Sequence, residues 1–175
     1  QQNKMAYIQF ASFLFIFNNL PKKKNFVMKV YLPMTIVPII NCIYLTYCTF
    51  EQLSFYKPSI HQSSSEFYII GKNFKGVPDN LIKYLFKKNK DLNLNLGIFA
   101  QEEMSKDFVK QYEKVIGMLT SENEDNIYRS LYYYDNPYIL KKHQYFINQL
   151  KYSQIKEWIK KYKFQRMNKK YSIIV

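Results

Sequence analysis

Apolar positions along this 175-residue chain come in unequal blocks, and one block stands apart. Val30 to Phe50, VYLPMTIVPIINCIYLTYCTF, runs for 21 residues without a charge, closed by Lys29 and Glu51. At about 1.5 Å per residue, a helix of that length spans about 31 Å, close to the ~30 Å of bilayer hydrocarbon. Tyr31 sits near one boundary and Tyr44, Tyr47 and Phe50 near the other, where amphipathic rings favour the interface. The block predicts one transmembrane helix over 30–50. Pro33 falls in its first turn, and Pro38 lies deeper, where it kinks the helix. Asn41 then lies near mid-bilayer and is expected to bond a neighbouring subunit's helix, because a lipid-facing amide is unfavourable. The two prolines, Asn41 and the threonines leave a second reading open, a buried core helix.

Met5 to Phe17, MAYIQFASFLFIF, is apolar but too short to span. It predicts a lead-in lying along a membrane surface or against another subunit. Lys22, Lys23, Lys24 and Lys29 follow and are candidate lipid-headgroup contacts. By the positive-inside rule they hold the N-terminal side in the compartment of negative potential; for an inner mitochondrial membrane that is the matrix, and the C-terminal part then projects into the intermembrane space. Residues 51–76 carry turn chemistry around Lys57-Pro58-Ser59 and predict a linker, with Phe67 to Ile70 as a short extended run.

From residue 77 the spacing is helical. Gly76-Val77-Pro78-Asp79 is a turn into a helix bearing Leu81, Ile82, Leu85 and Phe86 on one side. Met104, Phe108, Val109, Tyr112, Val115, Ile116 and Leu119 form a second stripe. Ser121 to Glu124 has the form of a capping box and predicts a new helix start, as does Asn136-Pro137. The last pattern runs through Tyr145, Ile147, Leu150, Ile155, Trp158, Ile159 and Tyr162 to about Met167, with Ser153 a candidate break. Residues 1–29, 30–50, 51–76 and 77–175 therefore read as lead-in, span, linker and helical domain. The fold class is mainly α, one kinked transmembrane helix followed by a small helical bundle or helical hairpin.

Charge adds one feature. The chain carries +13, with 26 Lys and Arg against 13 Asp and Glu. Most of the basic residues are Lys, and the abundance of Lys, Asn, Tyr, Phe and Ile matches an AT-rich genome. The charge concentrates at the C-terminus, where residues 141–170 hold ten basic residues against Glu157. Ile155, Trp158, Ile159 and Tyr162 share a helix face beside Lys156, Lys160 and Lys163. Trp158, Lys156, Lys160 and Lys163 are thus candidate interaction residues. Nucleic acid is disfavoured there, because the aromatics are expected to point into the packing face. The RNA alternative would use the lysines with interleaved Tyr138, Tyr145, Tyr162 and Phe164. An acidic protein surface or cardiolipin is the other candidate for the basic tail.

No chemistry is announced. Cys42 and Cys48 are about 240° apart on a helix and cannot pair within the chain. His61 and His143 lie outside any metal-ligand spacing, and no phosphate-cradling or nucleophile-elbow motif occurs. No catalysis, cofactor, metal or small-molecule substrate is expected. The chain opens on Gln1, so either a leader has been removed or the sequence starts within a longer chain; a cleaved mitochondrial presequence would account for both that start and the charge.

One span after Lys22 to Lys24, a short amphipathic lead-in and a Tyr/Lys/Asn-rich helical tail give the chain its character. In this it resembles lineage-specific accessory subunits of mitochondrial inner-membrane complexes in protists such as ciliates. The resemblance implies a non-catalytic scaffold subunit of a respiratory-chain complex or ATP synthase, with other subunits and anionic lipid as partners. The alternative is an RNA-binding component, such as a mitochondrial ribosomal protein, acting through the basic C-terminal helix.

Overall fold

The computed structural model describes residues 2–58 and 64–163. Five helices and a three-stranded antiparallel sheet occur among them. Helix α1, Gln2–Asn19, leads into strand β1, Phe26–Tyr31. Helix α2, Val37–Thr49, runs straight into β2, Phe50–Tyr56, and β3 is Glu66–Phe74. Three helices follow: α3, Asp79–Lys90; α4, Lys106–Asp135; and α5, Pro137–Tyr162. The sheet order is β1-β3-β2, with Val27 opposite Ile70 and Leu53 opposite Gly71. The chain divides into two compact units, residues 1–127 and 128–175.

The expected span does not form. Residues 30–50 are shared among the end of β1, an irregular stretch with a cis Leu32–Pro33 peptide, α2 and the first residue of β2. No helix among the described residues is long and apolar enough to cross a membrane. The physical reason lies in the prolines. Pro38 occupies the first turn of α2, where a missing N–H costs nothing, so it starts the helix instead of kinking it. The 13 residues of α2 cover only about 20 Å. Its lack of charge reflects burial on most sides: Ile39, Asn41, Cys42, Ile43, Leu45, Thr46 and Thr49 are all buried. Thr46 and Thr49 donate their hydroxyls to the carbonyls of Cys42 and Leu45 at 2.8 and 2.7 Å, so neither leaves an unpaired polar group in the core. Burial also pushes the Cys42 thiol pKa up.

The lead-in is likewise part of the fold. Ala6, Phe10, Phe13, Leu14 and Phe17 repeat at near-helical spacing, and all are buried in the core of the first unit. The expected linker is mostly strand. β3 is the central strand, burying Phe67, Ile69, Gly71 and Phe74. Gly71 is required there, since a Cβ would sit 2.8 Å from Phe26 Cδ1 and 2.9 Å from Phe50 Cδ1. Those rings meet edge-on with centroids 5.0 Å apart.

The predicted break at Ser121 is also absent, because α4 continues through it. The working cap is Ser105, whose hydroxyl accepts from the Phe108 N–H at 3.2 Å. Phe108, Val109, Tyr112, Ile116 and Leu119 then pack the first half of α4 on the core of its unit. Tyr112 donates to the Met34 carbonyl at 2.8 Å.

Candidate interaction surface

Each candidate residue has a distinct position. Asn41 is fully buried, and its amide is used within the chain. Its Oδ1 accepts from the backbone N–H groups of Ile98 and Phe99 at 2.6 and 3.2 Å, and its Nδ2 donates to the Phe99 carbonyl at 3.5 Å. It fastens the segment after α3 onto α2, so the partner helix expected for it is replaced by its own chain. Gly97 makes the approach close: a Cβ there would lie 2.6 Å from the Phe99 carbonyl oxygen and 3.2 Å from Asn41 Oδ1.

Lys29 lies on β1, where Nζ meets Glu66 at 3.1 Å and stands 5.5 Å from the Tyr31 ring centroid. Tyr31 and Glu66 both favour its charged form and hold its pKa up. Lys22, Lys23 and Lys24 form the exposed turn between α1 and β1.

The other candidates lie on α5. Asn136 precedes it, donating its N–H and its Nδ2 to the Tyr132 carbonyl at 3.0 and 2.9 Å, and Pro137 opens the helix. The helix runs unbroken past Ser153 to Tyr162. Lys163 closes it in the left-handed region, φ 51°, its N–H donating to the Ile159 carbonyl. The continuation to Met167, and Phe164, lie outside the described residues.

No residue of α5 is buried. The stripe of Ile155, Trp158, Ile159 and Tyr162, expected to lie on a partner surface or against lipid headgroups, is exposed along its length. Trp158 and Tyr162 pair with ring centroids 5.3 Å apart.

A second arrangement on the same helix has a period of seven. Tyr138, Tyr145, Tyr152 and Ile159 recur at seven-residue steps, about 10.5 Å apart along the axis. Four residues after each stand Lys142, Gln149, Lys156 and Lys163, on the same face. The three tyrosines are 67%, 77% and 60% exposed. Lys156 Nζ lies 4.6 Å from the Tyr152 ring centroid, a cation–π contact that holds a charge beside an aromatic face. The helix carries six Lys against Glu157 alone, with no acid in its first turn.

Sequence spacing contains this ladder, beside an apolar stripe that has the pattern of a packing face. Tyr138 and Tyr145 are among the RNA-alternative residues, whereas Tyr152 and the period of seven are not. The signal available was the repeated Tyr-x-x-x-(Lys/Gln) step.

Among the described residues no group of three His, Cys, Asp or Glu could hold a metal ion. Positive charge and exposed rings occur together on one helix.

No protein-family model matches the chain. Over 137 residues it is 31% identical to an uncharacterized protein of Acanthamoeba polyphaga mimivirus, a match covering 78% of this chain and 17% of that protein. The chain thus spans about a sixth of the length of the viral protein it resembles.

Proposed function

We propose that the chain is a non-catalytic nucleic-acid-binding module in which α5 takes a single strand along its tyrosine–lysine ladder. The observation that carries this reading is the exposure of Tyr138, Tyr145 and Tyr152 on one face with Lys142, Lys156 and Lys163. Bases stack on exposed rings without sequence preference, and lysines between the rings meet the phosphodiester charge.

A coiled coil with a second copy fits the helix less well. In that arrangement the tyrosines take one core position, but Lys141 and Asn148 fall on the other in the first two heptads. Two such lysine-rich helices also repel. Trp158 lies away from the ladder's tyrosines, and Ile155 and Tyr162 flank Ile159 on the adjoining side of the helix. They support a second reading, the accessory-subunit one without its membrane anchor. In it this face rests on a partner protein.

Fluorescence anisotropy of a labelled oligo(dT) 20-mer with the full chain tests the proposal. Each Tyr→Ala change at 138, 145 or 152 is expected to weaken binding by between about fivefold and about a hundredfold. Replacing Lys142, Lys156 and Lys163 by Ala is expected to lower the slope of log K against log salt by about 2. Binding indifferent to all three tyrosines, or no binding at 0.1 M salt, refutes the ladder.

A further inference from the structure

The first unit carries a separate surface, built where α1 meets β1. Apolar residues of the unit are mostly well buried, yet Ile8, Phe15 and Val27 are 60%, 68% and 64% exposed. They line one shallow open groove with Ala11, Ile16 and Met28. Its one polar side chain is Ser12, whose hydroxyl already donates to the Ile8 carbonyl at 2.8 Å. The groove therefore offers no free directional side-chain hydrogen bond.

The chain segment joining the groove's two walls is the Lys22–Lys24 turn. It is fixed to the sheet: Lys23 N–H donates to the Phe74 carbonyl at 2.7 Å, and Phe74 N–H donates to the Lys24 carbonyl at 3.0 Å. Lys23 takes a left-handed conformation, φ 65°, to make the turn. The same pairing brings Lys75 to this corner, its N–H held by the Thr49 carbonyl at 2.8 Å. Lys72 is two residues from Phe74 on the same strand. Lysines about fifty positions apart in sequence thus converge through the β1–β3 register. The ion pair found among the described residues is Lys29–Glu66, and the nearby Glu51 accepts from Asn73 Nδ2 at 2.8 Å. Among the described residues no carboxylate forms an ion pair with Lys22, Lys23 or Lys24.

We infer that this face docks on an anionic lipid bilayer, with Ile8, Phe15 and Val27 entering the headgroup boundary and Lys22, Lys23 and Lys24 meeting lipid phosphates. An apolar wedge beside uncompensated lysines is the arrangement of proteins that lie on a membrane without crossing it. A fluid interface asks for no directional partner, which matches the occupied Ser12 hydroxyl. A protein partner would be expected to meet polar groups around the wedge. This surface is independent of the ladder on α5.

The test places a reporter in the groove, because the basic α5 can itself be drawn to anionic vesicles. Phe15→Trp is made in a Trp158→Phe background of the full chain, so that position 15 carries the one indole. With vesicles of 70:30 phosphatidylcholine and phosphatidylglycerol at 0.15 M salt, its emission is expected to shift to the blue and acrylamide quenching to fall. Vesicles of phosphatidylcholine alone leave both unchanged. Replacing Lys22, Lys23 and Lys24 together by Ala is expected to raise the lipid needed for half-binding on the order of a hundredfold, roughly fivefold per lysine.

The proposal is overturned if the protein sediments with the anionic vesicles while the indole stays as quenchable as in buffer. That result assigns membrane attraction to α5. It is overturned equally by a blue shift that follows protein concentration without lipid, which assigns the groove to a second copy, or by no response to any vesicle. Thermal melts of the Phe15→Trp chain establish that the fold is intact.

Discussion

Helices α2 and α5 make opposite uses of apolar side chains. α2 has 13 residues, no charge and eight buried positions, among them a proline, an amide and two hydroxyls. α5 has 26 residues, many of them large and apolar, and none buried. What separates them is the placement of lysine, not the count of apolar groups. An uncharged stretch can be covered on every side, by lipid or by its own chain. A stretch with a lysine every few residues keeps some face in water and cannot enter a core without stranding a charge. Lack of charge therefore reports coverage, and what provides the cover is decided by how far the helix runs.

The strongest way to break this contrast is to open a cavity beneath α2. Ile43 is fully buried, and Ile43→Ala is expected to cost about 2–5 kcal/mol of stability, read from urea unfolding followed by circular dichroism. A loss under about 1 kcal/mol, the range of an ordinary surface change, would remove α2 from the core.

Asn41 gives a smaller and more pointed test. Asn41→Leu keeps the side chain's bulk but removes the acceptor for the Ile98 and Phe99 N–H groups. Leaving those donors unsatisfied is expected to cost about 1–3 kcal/mol. Amide hydrogen exchange at Ile98 and Phe99 is expected to rise while exchange in β3 is little changed below the unfolding transition. Unaltered exchange at both amides would mean that Asn41 does not hold this segment. The test also separates the observed role from the inter-subunit bond that sequence suggests, since that bond would change association and leave these amides alone.

Local signals made several elements legible and concealed others. Asp79 after Gly76-Val77-Pro78 marks the start of α3, and Asn136-Pro137 marks the start of α5. The stripe from Phe108 to Leu119 is the packed half of α4. Val30 to Phe50 was legible as covered, but not as three elements. The buried end of β1, the covered helix α2 and buried Phe50 are each apolar for separate reasons and merge into one run. Pro38 has the spacing of a kink inside a long helix, yet it is a helix start. Ser121 has the letters of a capping box, yet nothing before it breaks the helix, so propagation through it continues. β2 hid behind the turn chemistry at Lys57-Pro58, although its half-buried Leu53 and Phe55 alternate with exposed Gln52 and Ser54. The corner of Lys22–Lys24 and Lys75 was not legible at all, because strand register alone creates it. On α5 the positions were legible and their exposure was not, since exposure depends on whether another element covers the helix.

That last distinction yields the smallest effect and the sharpest use of the comparison. As an aromatic on a packing face, Trp158 would lose about 3–5 kcal/mol on truncation to Ala. In the structure it is 55% exposed and its described ring partner is Tyr162, one turn away on the same helix. An exposed site of this kind ordinarily changes stability by less than about 0.5 kcal/mol. Trp158→Ala is therefore expected to leave the unfolding midpoint of the full chain almost unmoved, alongside the large loss at Ile43. It also lies off the tyrosine–lysine ladder, so oligo(dT) affinity is expected to change far less than with Tyr145→Ala. A drop of several kcal/mol would show that α5 is covered in solution, and the contrast with α2 would then fail. A loss of oligo(dT) binding equal to that of Tyr145→Ala, with the midpoint unchanged, would move the nucleic-acid face around the helix to the Trp158 side.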